Sequence, residues 1–502
     1  MQALRRVHHA LVASIALAGC LPEAPARECD SHGCDPGYSC RLSDGRCERN
    51  TVDPKTLCGN VRVDVLTDRH RCGRCEPTSC LTCEGGECSV ARGILATNET
   101  ALVLPWTAVG LVQQWRGWGK PVFDYGVRSI PFPVAATVDG GIPPVASTPV
   151  ITSRDFDAHS TREVALCALY PNVGTQPVQG TLCVVRDGVV RCAGQPLPQE
   201  DAVDGGAVLR WRVVNALRGS AVLACARSGA ARMDACVWSS EQRQIRCHAS
   251  WLDATREVAV EPDVSCRFGG GTSAVEAVES IGMGRDFACA LAVVCGQRVV
   301  LCWGASLPAR SRCVLPGARV IALPSTPRNL SVGGEHACAV LDSGEVWCWG
   351  ASDRARLGRG ALGDLARCDL PAPVLRAAGA PLTGVREVRA FGSSTCARVE
   401  ENAQGVVYCW GDRFFPRGAS SCTGTTSSPG DPDRYATRVE LGGVGPLHVS
   451  NEPWGRDVLA VGNGFACALA ADGRDVFCWG RGTLGGGYFP GVTYNPPCPV
   501  TF

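Results

Sequence analysis

Short apolar segments with two apolar faces recur through the second half of the chain. The clearest copy runs from His336-Ala337-Cys338 to Cys348-Trp349-Gly350, around the turn residues Asp342-Ser343-Gly344. Cys348 shares one strand face with Val346, and Trp349 lies on the other face. A hairpin with two apolar faces must be covered on both sides. The pattern therefore predicts β-hairpins that depend on neighbouring copies for their burial.

Cysteines mark both strands of each predicted hairpin. The six pairs are Cys183/Cys192, Cys236/Cys247, Cys289/Cys302, Cys338/Cys348, Cys396/Cys409 and Cys467/Cys478. In four of them the second cysteine begins a Cys-Trp-Gly triplet, with the tryptophans Trp303, Trp349, Trp410 and Trp479. Units repeated in this way are typical of blades stacked radially around an axis, an arrangement that covers both faces and hides most strand edges.

Turn chemistry predicts which residues face each other in three of these hairpins. Asp187-Gly188 and Asp472-Gly473 favour two-residue turns, and Asp342-Ser343-Gly344 favours a three-residue turn. Folding the chain at these turns sets the cysteines of each hairpin opposite each other, about 4.5 Å apart at a non-hydrogen-bonded position. That spacing allows a disulfide. We predict the same bond in the other three hairpins, whose turn residues are less typical.

Three stretches resemble a known repeat. They are Gly334-Glu335-His336-Ala337-Cys338-Ala339-Val340, Gly344-Glu345-Val346-Trp347-Cys348-Trp349-Gly350 and Leu357-Gly358-Arg359-Gly360. Together they resemble the repeat of the regulator of chromosome condensation family, strongly over 280–485 and faintly over 160–250. The resemblance implies an all-β fold, a β-propeller with seven blades expected. Six units are visible; a seventh lies in 101–119, or the ring closes with strands from both chain ends.

This chain departs from the family at two kinds of position. It carries cysteine on both strands of the hairpin, and it keeps the family's histidine only at His336. The equivalent positions hold Phe287, Ser394 and Phe465. Because phenylalanine replaces the histidine twice, we interpret His336 as a packing residue between blades rather than a base or a ligand. The four tryptophans are likewise interpreted as inter-blade core rather than binding shelves.

The first residues have the features of an exported lipoprotein. Arg5-Arg6 precede the apolar run Ala10 to Ala18, which is too short to span a bilayer. Leu17-Ala18-Gly19-Cys20 resembles a bacterial lipobox, which implies a cleaved signal peptide and a lipidated thiol at Cys20. The alternative is an ordinary signal peptide cut elsewhere. Leu21 follows the cysteine, and by analogy with lipoprotein sorting it indicates an outer-membrane lipoprotein or a cell-surface location.

Cysteine usage supports export. The chain has 31 cysteines, ten of them between Cys29 and Cys88 and twenty between Cys167 and Cys498, so that each region has an even number. Such density is typical of oxidising compartments. We predict three parts: a lipoprotein signal peptide at 1–19, a lipid-anchored cysteine-rich module at 20–90 that needs disulfides to fold, and the propeller at 91–502.

Several cysteines have no assigned partner at this point. Cys72-x-x-Cys75 and Cys80-x-x-Cys83 are too close together for a zinc ribbon, so disulfides are preferred there and no metal is predicted. Pairing within Cys29–Cys88 stays open. So does the pairing of eight propeller cysteines: Cys167, Cys225, Cys266, Cys295, Cys313, Cys368, Cys422 and Cys498.

Charge excludes one class of partner. With 49 Lys and Arg against 48 Asp and Glu, the chain has no net field to attract nucleic acid. Nearly all of the basic charge is arginine, which fits the codon usage of a GC-rich bacterium. We expect a membrane contact only through the lipid, and a monomer.

No catalytic signature is present among the metal, nucleophile-elbow, phosphate-loop and dinucleotide motifs. We therefore expect no enzymatic activity, no cofactor and no catalytic residues. The preferred function is a surface-tethered binding scaffold that uses one propeller face for a protein or glycan. The alternatives are a glycan-acting propeller enzyme of sialidase or lyase type, and a structural protein of the cell envelope.

Overall fold

The chain forms two compact units, residues 1–89 and 90–502. A computed structural model describes residues 234–248, 275–304, 318–360, 368–412, 431–441, 445–451, 457–471 and 475–481, and elsewhere the strands named below. Apart from two short 3-10 segments, Asp353–Ala355 and Ala377–Gly379, the regular structure described is β-strand. Within these residues no helix has the length and apolar character of a membrane span.

The first unit contains three short antiparallel hairpins in its described part. Their strands are β1 (Tyr38–Arg41) with β2 (Arg46–Arg49), β3 (Lys55–Cys58) with β4 (Val61–Asp64), and β5 (Cys83–Glu84) with β6 (Glu87–Cys88). The register places Cys40 opposite Cys47 and Cys83 opposite Cys88.

The second unit contains, in its described strands, seven sheets of four or five strands that follow one another along the chain, and all of their strand pairs but one are antiparallel. Sheet 1 comprises β7 (Val90–Ala96), β8 (Thr100–Thr107), β9 (Gly110–Leu111), β10 (Gln114–Gly119) and β11 (Thr148–Thr152). Sheet 2 comprises β12 (Thr161–Leu166), β14 (Thr181–Arg186), β15 (Val189–Gly194) and β16 (Arg212–Arg218), while β13 (Ala168–Leu169) joins the next sheet. Sheet 3 comprises β17 (Ser220–Arg227), β18 (Asp234–Ser239), β19 (Gln244–His248) and β20 (Val258–Val260).

Sheets 4 to 7 cover the region where the repeat is clearest. Sheet 4 comprises β21 (Val275–Met283), β22 (Phe287–Val294), β23 (Gln297–Gly304) and β24 (Arg319–Val320). Sheet 5 comprises β25 (Pro327–Val332), β26 (His336–Leu341), β27 (Val346–Ala351) and β28 (Cys368–Pro373). Sheet 6 comprises β29 (Val385–Phe391), β30 (Ser394–Glu401), β31 (Gln404–Gly411) and β32 (Asp433–Arg438). A separate short hairpin follows, formed by β33 (Glu440–Leu441) and β34 (Gly445–Pro446). The next strand, β35 (His448–Val449), pairs with β31 and so belongs to sheet 6. Sheet 7 comprises β36 (Leu459–Gly462), β37 (Phe465–Leu469), β38 (Val476–Arg481) and β39 (Tyr494–Val500).

The first strands of the seven sheets contact one another in a closed order. β7 contacts β12, β12 contacts β17, β17 contacts β21, and the series continues through β25, β29 and β36 back to β7. At the last step the amide of Ile94 donates to the carbonyl of Asp457 at 3.0 Å. This arrangement confirms the predicted all-β propeller class. None of the sheets in the described strands combines strands from the two chain ends; sheet 1 is built from 90–152 and sheet 7 from 459–500.

The apolar core lies between sheets, because the two faces of each hairpin pack in opposite directions. In sheet 5, Cys338 and Cys348 belong to a buried cluster shared with sheet 6, whereas Ala337 and Trp349 belong to a cluster shared with sheet 4. Sheet 4 repeats the alternation, with Trp303 facing sheet 3. In sheets 3 to 5 the disulfide thus faces the next sheet, and Trp303, Trp349 and Trp410 face the preceding one, which explains why both faces of the sequence pattern are apolar.

A small residue lies opposite the tryptophan in each described Cys-Trp-Gly hairpin. Ala288 faces Trp303, Ala337 faces Trp349, Thr395 faces Trp410 and Ala466 faces Trp479. The indole can therefore lie across the neighbouring strand without a second large side chain beneath it. This pairing of large with small side chains is typical of tightly packed interiors.

Candidate functional site

Disulfides close the hairpins of sheets 3 to 7. The bonds are Cys236–Cys247, Cys289–Cys302, Cys338–Cys348, Cys396–Cys409 and Cys467–Cys478, each with Cα atoms 4.1 Å apart. This is the close spacing of a non-hydrogen-bonded antiparallel pair. In sheet 2, Cys183 is disulfide-bonded and lies opposite Cys192. The strands that carry the loops are therefore covalently fixed in pairs.

The tryptophans of the repeat are buried rather than available as binding shelves. Trp303, Trp410 and Trp479 are at most 2% exposed, and Trp349 is 7% exposed. The indole N–H of Trp410 donates to the backbone carbonyl of Arg356 at 3.0 Å, so this side chain connects sheet 6 to the loop after β27. Their position in the cores between sheets leaves them no surface for a ligand.

His336 is fully buried between sheets 5 and 6. Its Nε2 lies 2.7 Å from the hydroxyl oxygen of Thr395 on the first hairpin strand of sheet 6. Burial, and then the positive charge of Arg356, lowers the pKa of His336 to about 3. The imidazole is therefore neutral at physiological pH and holds two sheets together, which is a structural task rather than acid–base catalysis.

One end of sheets 4, 5 and 6 carries an ion-pair network between sheets. This end, which we call the loop face, is where β21, β25 and β29 turn into their hairpins and where β27 and β31 finish. The buried guanidinium of Arg356 pairs with Asp353 at 2.7 Å and with Glu335 at 3.1 Å. Glu335 also pairs with Arg285 of the preceding sheet at 2.9 Å. Arg356 thus connects the loop after β27 to the loop after β25, and Glu335 extends the network to the loop after β21.

The outer part of the loop face is open to solvent. The side chain of Arg354 is 61% exposed and pairs with Asp412 of sheet 6 at 3.1 Å. Burial raises the pKa of the Asp412 carboxyl, and the charge of Arg354 opposes that rise. The network therefore has a rigid buried centre and a polar exposed rim, a layout that suits recognition by complementary charge and hydrogen bonding.

A second charge cluster, which no sequence pattern predicted, lies where sheets 6 and 7 meet. The carboxylate of Glu387 on β29, itself 3% exposed, pairs with Arg389 at 3.2 Å and with Arg398 at 3.5 Å. It accepts the backbone N–H groups of Val458 and Leu459 at 3.2 Å each. Burial raises the pKa of Glu387, while Arg389, Arg398 and the Leu459 amide oppose the rise.

Asp457 connects this cluster to the first sheet. Its carboxylate pairs with Arg389, and its backbone carbonyl accepts the amide of Ile94 on β7. One group of charges therefore joins sheets 6, 7 and 1. Arg389 and Asp457 are 68 positions apart in sequence, and Ile94 is farther still from Asp457, so only the folded ring brings these three residues together.

The remaining predicted positions are distributed as follows. Cys20 and the cysteines at 29, 34, 72, 75, 80, 167, 266, 313 and 422 lie outside the described residues. Cys225 and Cys295 are disulfide-bonded. Cys368 begins β28 opposite Ala351, and Cys498 lies opposite Cys478 on β39. Among the described residues, no group of three His, Cys, Asp or Glu side chains is placed to hold a metal ion.

Comparison with known proteins adds a family match and a set of similar folds. Residues 328–355 match the sequence model of the Regulator of chromosome condensation (RCC1) repeat. This stretch comprises β25, the hairpin of β26 and β27, and the segment with Asp353. It contains the Cys338–Cys348 disulfide, His336, and Glu335 and Asp353 of the loop-face network.

Three solved structures illustrate the similar folds. Prp20p from Saccharomyces cerevisiae is 14% identical, with 64% of this chain and 75% of that chain covered and a TM-score of 0.42. Human WBSCR16 is 13% identical over 82% and 81% of the two chains, with a TM-score of 0.38. The CRINKLY WD40 ectodomain of the Arabidopsis thaliana receptor kinase ACR4 is 16% identical over 81% and 99%, with a TM-score of 0.37.

The repeat match, 328–355, lies within 280–485, the segment in which the predicted resemblance is strongest. The sheet order, the hairpin register and the inter-sheet cores agree with it. The chain is therefore an all-β propeller protein in which residues 328–355 match the RCC1 repeat.

Proposed function

We propose that this protein is a non-enzymatic binding scaffold, tethered to the cell envelope, that recognises a protein or a glycan through the loop face of its propeller. The observation that carries the proposal is the loop-face network. Its centre, Arg356, is buried and multiply paired, while Arg354 and Asp412 at its rim are accessible. A rigid base with an exposed polar rim lowers the ordering cost of binding.

The sequence after β31 supports the same face. The chain leaves sheet 6 at Gly411 on the loop face and returns at Asp433, and the intervening 412–432 is rich in glycine, serine and proline. Insertions in a repeat protein map to one face, which is often the binding face. The yeast protein Prp20p has binding properties towards Gsp1p and histones. For this chain, a net charge of +1 favours a partner other than nucleic acid.

The experiment measures binding of the full-length chain to a partner recovered from envelope extract and then purified. Arg354→Glu reverses an exposed charge on the loop face. The matched control is Arg386→Glu, which reverses an arginine of similar exposure, 53%, paired with Glu400 at the opposite end of sheet 6. We expect Arg354→Glu to weaken affinity about tenfold, about 1.4 kcal/mol, and the control to leave it within about twofold. Equal effects of the two variants, or the absence of saturable binding, would contradict the proposal.

The tether is tested separately at Cys20. We infer that its thiol carries the lipid and that residues 1–19 are removed as a signal peptide. Incorporation of a labelled fatty acid into the protein in its bacterial host should disappear in Cys20→Ser and persist in Cys29→Ser. Release of the Cys20→Ser protein from the membrane fraction is expected as well. Labelling that persists in Cys20→Ser would contradict lipidation at Cys20, but it would not affect the binding proposal.

A further inference from the structure

An asparagine followed by a glycine forms the turn that joins the first two strands of sheet 7. The register pairs Gly462 of β36 with Phe465 of β37, so Asn463 and Gly464 make up a two-residue turn between them. Asn463 is exposed, Gly464 has a φ of +81°, and this is the one Asn-Gly pair in the sequence. The turn lies at the end of sheet 7 that corresponds to the loop face, because it occupies the same place between the first two strands as the turns of sheets 4 to 6.

Backbone hydrogen bonds connect the corresponding turns of sheets 4, 5 and 6 to one another. The amide of Arg285 in sheet 4 donates to the carbonyl of Gly334 in sheet 5 at 2.9 Å, and the amide of Gly334 donates to the carbonyl of Gly392 in sheet 6 at 2.9 Å. Among the described turns, no equivalent bond runs from Gly392 to Asn463. The turn of sheet 7 therefore lacks the bond that holds its counterparts to their neighbours, and Asn463 has more freedom to change its conformation.

The backbone nitrogen of Gly464 is a nucleophile within reach of the Asn463 side chain. After it loses its proton to solvent, this nitrogen attacks Cγ of Asn463, and the bond from Cγ to the side-chain nitrogen breaks with release of ammonia, which takes up a proton. Glycine leaves the approach open because it has no side chain. Water then opens the resulting five-membered imide and produces a carboxylic acid, so that the reaction consumes one water and releases one ammonia.

We propose that Asn463 is a site of spontaneous deamidation, which converts an exposed amide at this end of sheet 7 into a carboxylate. Water attack at Cγ of the imide gives an aspartate with an ordinary backbone. Attack at the main-chain carbonyl gives an isoaspartate, whose backbone passes through the side chain and is longer by a carbon atom. Either product adds a negative charge to the turn, and the second also lengthens it.

Incubation of the purified full-length chain in mildly alkaline buffer, followed by reduction, tryptic digestion and mass spectrometry, tests the site. Trypsin releases Asn463 in the peptide 457–474, which should gain about one dalton over days of incubation. The internal control is Asn402, which also lies in an exposed two-residue hairpin turn but precedes Ala403, and which is released in the peptide 399–413. Because a methyl group obstructs the nitrogen of Ala403, conversion at Asn463 should exceed conversion at Asn402 by about tenfold or more.

Ion exchange of the intact protein provides the second readout, since deamidation produces a more acidic form. Asn463→Asp supplies the elution position of that form, and Asn463→Gln should prevent its accumulation because the longer side chain would have to close a six-membered ring. A denatured sample incubated in parallel confirms that conversion of the peptide 457–474 is detected. An unchanged peptide from the folded chain beside conversion in the denatured chain, or equal conversion at Asn402 and Asn463, would overturn the proposal.

Discussion

Equivalent positions of the repeat keep their burial while their chemistry changes, and His336 is the clearest case. Phe287 and Phe465 occupy the same place and are likewise buried, so burial is common to all three side chains. The hydrogen bond to Thr395 was missed. A signal was available, because Thr395 stands where the other described Cys-Trp-Gly hairpins have alanine opposite tryptophan. The histidine at 336 and the threonine at 395 both depart from the repeat pattern, and they contact each other.

Substitution of His336 should change the pH dependence of stability. The folded protein binds a proton at His336 only near pH 3, whereas the unfolded chain binds it near pH 6.5. The unfolded state therefore holds more protons between these values, and stability falls as pH drops through that window. We expect His336→Phe to reduce the slope of the free energy of unfolding against pH by up to about 1.4 kcal/mol per pH unit in this window. Urea unfolding at several pH values measures that slope. Phenylalanine is tolerated at the sister positions, although the bond to Thr395 is lost.

Thr395→Val is the control for that loss. It removes the same hydrogen bond, at a cost of about 1 kcal/mol, but keeps the titrating imidazole. Its stability should therefore be lower at every pH with the slope of the original protein. An unchanged slope in His336→Phe would show that the imidazole does not titrate as described.

At the scale of the element, hairpin register was predictable where the turn residues were typical. Asp342-Ser343-Gly344 and Asp472-Gly473 imply the observed pairing of Cys338 with Cys348 and of Cys467 with Cys478. Two other turns each hold one residue that positive φ does not favour: Cys295 has a φ of +54° before Gly296, and Ala403 has a φ of +62° after Asn402. Packing of the strands on both sides imposes these turns, so their sequence alone was a weaker guide.

The glycine of Cys-Trp-Gly is required by close approach as well as by its backbone angle. Gly350 has a φ of +110°, and a Cβ there would lie 2.6 Å from the carbonyl oxygen of Glu335. Gly296 also has a positive φ, +70°, but nothing lies within 4 Å of its Cβ position. We expect Gly296→Ala to cost about 1 kcal/mol from backbone strain alone.

Gly350→Ala should cost clearly more, about 3 kcal/mol or above, because backbone must move in addition. Thermal and urea unfolding of the two variants in parallel measure the difference. Comparable losses would mean that the loop after β25 adapts freely, and that the hairpin end is not the rigid platform described above.

At the scale of the whole molecule, a closed ring was predictable from the repeat, but its internal joints were not. The Glu387 cluster joins residues of β29, β30 and the segment before β36, whose proximity follows only from the order of the sheets. Likewise, sheet 1 lacks the cysteines that made the other units visible, so its extent over 90–152 exceeds the predicted 101–119. We propose that each of the seven sheets is one blade.

Neutralising Glu387 should destabilise the joint between sheets 6 and 7. Glu387→Gln leaves Arg389 and Arg398 without their shared carboxylate in a buried site, and we expect a loss of about 3 kcal/mol in the free energy of unfolding. The matched control is Glu400→Gln, which removes an exposed carboxylate paired with Arg386 and should cost less than about 1 kcal/mol. If Glu400→Gln lowered the free energy of unfolding as much as Glu387→Gln, the buried cluster would not stabilise the joint between sheets 6 and 7 more than an exposed ion pair does.

The most direct test of the ring is an electron-density map of the second unit from a crystal or from single-particle imaging. We expect seven sheets of four or five strands about one axis, with continuous density between the hairpin cysteines. We also expect β7 to lie beside sheet 7, with the amide of Ile94 about 3.0 Å from the carbonyl oxygen of Asp457. A map in which β7 lies away from β36, or in which the sheets follow an open path, would contradict the account.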